Sequence, residues 1–146
     1  MSRDINKQSG IAAVEFLVTL PVLLLIITVV IEFGNAFVRY SILNKSVQNA
    51  ARYAVVDIYG TATSGSIANE SDIKKMVMYG KKSFSDGETP TPILDSLTLD
   101  NISVTPVGNY VVVSANYDYQ SIMNLLPIDA LDNLTVRSSA VMRVAP

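Results

Sequence analysis

The chain has 146 residues, room for one domain of ordinary size and an anchor. It contains no Cys and no His, which excludes disulfides, thiolate nucleophiles, imidazole or thiolate metal sites, and the Ser-His-Asp and Cys-His constellations. Formal net charge is −2, and nine basic residues face ten acidic ones from Arg39 to Pro146, so no broad basic surface awaits nucleic acid. No catalytic motif appears either, and neither an enzyme nor a cofactor is expected.

Residues 1–10, MSRDINKQSG, are polar and carry Arg3 and Lys7 against Asp4. They precede IAAVEFLVTLPVLLLIITVVIEFG, which has no charge from Phe16 to Ile31. As a helix, the 21 residues Ile11–Ile31 reach about 31 Å, the thickness of a bilayer's hydrocarbon core. A core helix is seldom apolar on every face over such a length, so this is read as a membrane span. Arg3 and Lys7 lie before it, and no basic residue follows until Arg39. The positive-inside rule then places the N-terminus in the cytoplasm and the remainder in the periplasm. A cleaved secretory signal is the competing reading, with Gly34 and Ala36 as a small-x-small site.

Three residues in the span are unusual. Glu15 puts a carboxylate at its start, where burial costs a few kcal/mol without a partner, although an interfacial side chain can snorkel to water. Pro21 removes a backbone hydrogen bond and invites a kink that Thr19 can help relieve. Glu32, at the far end, reads as the exit to water.

The helical pattern continues past the span, to about Asp57. Ala36, Tyr40, Leu43, Val47, Ala50 and Ala54 follow steps of four and three and make an apolar stripe, opposite Arg39, Lys45, Gln48, Asn49 and Arg52. The stripe packs either on the chain's own sheet or on other subunits. Residues 60–71 are Gly-, Ser- and Thr-rich and read as a loop. Ser71 is placed to cap a short helix, Asp72–Phe84, with Lys74, Lys75, Lys81 and Lys82 on a solvated face. SDGETPTP at 85–92 is a second loop. Leu97–Thr105 and Tyr110–Tyr119 alternate as strands about a turn at Pro106-Val107-Gly108-Asn109. SIMNLLP reads as a helical turn, and Leu134, Val136, Ala140, Met142 and Val144 form a third period-2 run. Tyr117 and Tyr119 share a strand face and read as core rather than a ligand platform. The expected class is α+β: a long N-terminal helix packed on a small antiparallel sheet. Its parts are residues 1–10, a transmembrane helix 11–33, an amphipathic continuation 34–57 and an α+β domain 58–146.

The string Gly10-Ile11-Ala12-Ala13-Val14-Glu15-Phe16 after a short basic leader resembles the processing site of type IV pilin-like proteins. The longer run GIAAVEFLVTLPVLLLIITVVIEFGNAF, then Ala50-Ala51-Arg52-Tyr53-Ala54, is similar to the TadE-like (TadE/TadF) minor pilins, or pseudopilins, of tight-adherence (Tad, or Flp) pilus systems. Val77-Met78-Tyr79-Gly80 and Ser139-Ala140-Val141-Met142-Arg143 resemble that family more loosely. The resemblance implies a pilin-like fold and cleavage of a leader between Gly10 and Ile11 by a prepilin peptidase. It implies that Glu15 pairs with the freed α-amine of Ile11 on a neighbouring subunit during assembly. It also implies partners: a sister pseudopilin, the major Flp pilin, an inner-membrane platform driven by a cytoplasmic ATPase, and membrane lipid. The alternative is an uncleaved single-pass anchor whose periplasmic domain binds another envelope protein.

Overall fold

The computed structural model describes residues 5–56, 67–122 and 134–144. The chain forms two compact units, Met1–Asn35 and Ala36–Pro146. One helix, α1 (Ile5–Val56), runs through residues of both; it is followed by α2 (Glu70–Tyr79) and by strands β1 (Ile102–Val107), β2 (Tyr110–Asp118) and β3 (Thr135–Arg143). This is the α+β class expected. The helical turn expected at 121–127 lies, from Met123 onward, outside the described residues.

In the first unit the sequence leaves α1 no polar face. Fourteen large apolar side chains between Ile11 and Ile31 are exposed, Leu17 at 70% and Leu23 at 53%. In that interval only Leu20 and Thr28 are half-buried. The helix continues through Pro21. Thr19 does not take the Leu17 carbonyl that Pro21 leaves without its usual donor. Its hydroxyl donates instead to the carbonyls of Glu15 (3.0 Å) and Phe16 (3.1 Å). Thr28 makes the same back-bond to Leu24 at 2.9 Å. In an apolar stretch, a hydroxyl that bonds its own backbone is polar without being unsatisfied.

The second unit is built on the α1 stripe. Leu43, Val47, Ala50, Ala51 and Ala54 are fully buried and share one core with Ile73 and Val77 of α2 and with Val111, Val113, Ala115 and Tyr117 of β2. Alanines at 50, 51 and 54 keep that face of the helix low, which allows close approach. A larger residue there would overpack by about 1–3 kcal/mol. Ala36 is partly buried against the same core, whereas Tyr40 is exposed.

Helix α2 starts earlier and ends earlier than its pattern predicts. Asn69 caps it, accepting from the Ser71 amide at 3.0 Å, and places Glu70 and Asp72 in the first turn. An Asn oxygen caps as well as a Ser hydroxyl, and carboxylates favour a helix N-terminus. The helix stops at Gly80, whose φ of 71° few side chains tolerate. Phe84, expected inside the helix, instead stands edge-on to Tyr79 at 5.1 Å between ring centres. Three of the last four carbonyls of α2 find donors near the cap: Gly80 N–H bonds Met76 at 3.0 Å, the Ser46 hydroxyl bonds Val77, and Ile93 N–H bonds Met78 at 2.8 Å.

The sheet is antiparallel, in the order β1-β2-β3. Residues 99–101 form a 3-10 turn, so β1 begins at Ile102 rather than Leu97. At its other end β1 runs on through Pro106 and Val107, which pair with Val111 and Tyr110; the turn is Gly108-Asn109 alone. Proline is tolerated because β1 is an edge strand, and Gly108 supplies the φ of 57°. Register Val113↔Ala140 and Tyr117↔Val136 puts the apolar rows on one face. On that face Ser138 is also buried and donates to Asn44 Oδ1 of α1 at 3.1 Å.

Candidate functional site

The site expected from the sequence is the start of α1. Gly10, Ile11 and Glu15 all lie on the helix and are exposed. Gly10 has no positive φ, and a Cβ built on it meets nothing within 4 Å. Neither backbone conformation nor space requires a glycine there. Within a helix, glycine is destabilising by roughly 0.5–1 kcal/mol relative to alanine. Ile11 and Glu15 are four residues apart, one helical turn. Pro21 lies a turn and a half further on, inside the uninterrupted helix.

The far end of the span differs from expectation. Glu32 is 2% exposed and so is not an exit to water. Of the stripe itself, Leu43, Val47, Ala50 and Ala54 lie in the core of the second unit, with Ala36 at its edge and Tyr40 outside it.

Arg39, expected on the polar face, lies beside two tyrosines. Its guanidinium donates to the Tyr117 hydroxyl and lies 5.7 Å from the centre of the Tyr119 ring. The hydrogen bond to Tyr117 raises the Arg39 pKa further above its usual value, against the opposing effect of burial. Tyr117 and Tyr119 are themselves buried. The spacing of Arg39, three from Ala36 and four from Leu43, could have revealed this contact. The lysines near α2 are paired rather than simply solvated: Lys74 with Glu70 (2.9 Å), Lys75 with Asp72 (3.3 Å) and Lys81 with Glu88 (2.8 Å). Lys82 lies 5.3 Å from the centre of the Tyr53 ring.

Among the described residues no group of three or more acidic side chains is placed to hold a metal ion. The helix from Gly10 onward is long and apolar enough to cross a membrane, and no part of its apolar window is buried. A transfer of fourteen such side chains from water into lipid is favourable by roughly 20–40 kcal/mol, more than the about 5–15 kcal/mol that holds a domain folded. A surface of that kind anchors a protein in a membrane. The TadE-like protein family model matches residues 10–52. That segment is TadE-like. The match covers 43 of the 146 residues, beginning at Gly10 and taking in Glu15, Pro21 and most of the α1 stripe. It supports a protein associated with the Tad pilus. No curated protein and no solved structure matches the chain.

Proposed function

We propose that the protein is a minor pilin, or pseudopilin, that acts in assembly of a Tad/Flp type IV pilus for surface adherence and is processed between Gly10 and Ile11 by a prepilin peptidase. The observation that carries this reading is Gly10: a glycine in an exposed helix that nothing in the fold demands, at the first position of the TadE-like match. A residue that weakens the helix at one peptide bond, and that no packing explains, suits recognition by another molecule. The bond lies inside α1, so a peptidase must unwind it, and glycine lowers that cost.

In this reading Arg3 and Lys7 hold the N-terminus in the cytoplasm, the apolar span sits in the inner membrane, and the second unit lies in the periplasm or in the emerging pilus. The partners are the peptidase, a sister pseudopilin, the major Flp pilin and the inner-membrane platform. Cleavage creates an ammonium at Ile11. Glu15 pairs with that group on a neighbouring subunit, which relieves a carboxylate otherwise isolated at the lipid boundary and sets subunit register. Within one chain the same two groups lie one turn apart, so the intramolecular pair competes with the intersubunit one.

The test is the N-terminal residue of the protein in membrane and sheared-surface fractions, by intact mass. A start at Ile11, lost when Gly10 is substituted, is the expected result. A start at Asn35 or Phe37 means a secretory signal, and retention of Met1 or Ser2 means a simple anchor; either overturns the processing. A Glu15→Ala variant that pairs with its sister subunit and yields pili at the normal level would remove the assembly role of Glu15.

A further inference from the structure

The second unit carries a groove that the pilus reading does not use. It measures about 440 Å³ and lies between Ile42 and Ser46 of α1, Met76 of α2, and Ile93. Gly80 closes α2 at its edge without a side chain; a Cβ there would come 3.4 Å from Ile93 Cδ1 and narrow the opening. Ile93 stays 39% exposed, held at this place by its amide bond to the Met78 carbonyl.

The α1 rim of the groove is polar and basic. Lys45 and Asn49 line it, and Arg52 follows on the same helix face, at spacings of four and seven; all three are exposed. Neither Lys45 nor Arg52 has an ion pair or hydrogen bond among the described residues, whereas Lys74, Lys75 and Lys81 each have a carboxylate. Lys45 is the one charged residue among the described residues that line the groove. Lys45 and Arg52 thus stand about 10 Å apart along α1, neither with an ion pair among the described residues, beside an apolar hollow.

We propose that this groove docks an amphipathic helix of a partner protein, with an apolar side chain between Ile42, Met76 and Ile93 and two carboxylates facing Lys45 and Arg52. The fit is by shape and charge together. A helix laid along α1 repeats every 3.6 residues, so Glu or Asp seven residues apart matches the spacing of the cations while the intervening apolar residues face the hollow. Complementary charges fix register and speed encounter, and the apolar contact holds the complex. An anionic lipid surface would satisfy the cations, but a flat surface leaves a concave hollow of this size unfilled, which favours protein. The inference stands apart from leader processing, since it concerns only residues of the second unit.

The test uses the full-length chain in nanodiscs of zwitterionic lipid, with methyl-labelled Ile and Met observed by NMR. The first probe is a designed helical peptide with a Leu stripe and two Glu seven residues apart; the second carries Lys in place of both Glu. The first peptide should shift the Met76 and Ile93 methyls saturably. The double variant K45E/R52E should weaken it at least tenfold and regain affinity for the second peptide. Both substituted side chains are exposed, and an unmoved Ile102 methyl reports that the core is intact. Three results would overturn the proposal: no saturable shift at Met76 and Ile93, an affinity indifferent to charge reversal, or the same shifts produced by anionic-lipid vesicles without peptide, which assigns the face to lipid.

Discussion

Arg39 reaches the Tyr117 hydroxyl from α1 and covers the Tyr119 ring, so one side chain fastens the helix to the end of β2. Tyr117→Phe keeps the ring in the core and removes only that acceptor. It should destabilise the full-length protein in detergent by about 1–2 kcal/mol in denaturant unfolding, since the bond is charge-assisted and partly shielded. At the surface the sign is set by Glu88. The Lys81 ammonium, with help from the Ser85 amide, lowers the Glu88 carboxyl below its usual value. Because the folded value is the lower one, the stabilisation is fully present above the ordinary carboxylate range and is lost as pH falls through the folded value. Glu88 lies at the surface, so the effect on stability is small, but an NMR titration of its side chain should show a midpoint below the usual glutamate value. Lys81→Ala should move that midpoint back up towards the usual value. The stripe residues Leu43, Val47, Ala50 and Ala54 were legible because they keep helical spacing with apolar side chains. Arg39 and Ser46 keep the same spacing, but polarity hid them: composition says where a polar group prefers to be, and a partner decides where it goes.

Helices and strands were legible at different precision. Period-2 alternation marked β2 and β3 to within a residue, because those strands bury one face and leave the other exposed. Strand β1 was shifted because it lies at the sheet edge, where a Pro can pair and alternation ends early; its burial fades after Val104. The ends of α2 depend on which of several polar residues supplies the cap, and Asn69 and Ser71 carry equal claims in sequence. Beside its buried Ile73 and Val77, α2 is tied to α1 by Ser46, whose hydroxyl bonds the Val77 carbonyl. Ser46→Ala leaves that buried carbonyl without its donor and should cost about 1–3 kcal/mol, with loss of protection concentrated in the last turn of α2 by hydrogen exchange. Loss spread evenly over β1–β3 would show that the bond supports the whole core rather than α2.

Over the whole molecule, the apolar span and the TadE-like motif were legible because membrane burial demands a long unbroken apolar composition, which a soluble core helix seldom has. The groove and the sheet order were not legible, since both arise from residues distant in sequence. The same scale separates recognition from folding. Gly10→Ala should leave the unfolding free energy of the second unit within about 0.5 kcal/mol, because its Cβ meets nothing. In the proposed role it should also leave residues 1–10 attached, which intact mass reads directly. Loss of folding in the Gly10→Ala variant would make Gly10 a structural residue.

Helix α1 begins at Ile5, ahead of the proposed processing bond. In an α-helix the amides of Ile11, Ala12, Ala13 and Val14 bond to the carbonyls of Lys7, Gln8, Ser9 and Gly10. Severing a leader there would take away all four acceptors at once, beside lipid, where unmet donors cost several kcal/mol each. A mature chain made this way would emerge with a cluster of hungry amides and a fresh ammonium, an anion receptor made by the cut, which in the proposed role a carboxylate from another molecule would fill.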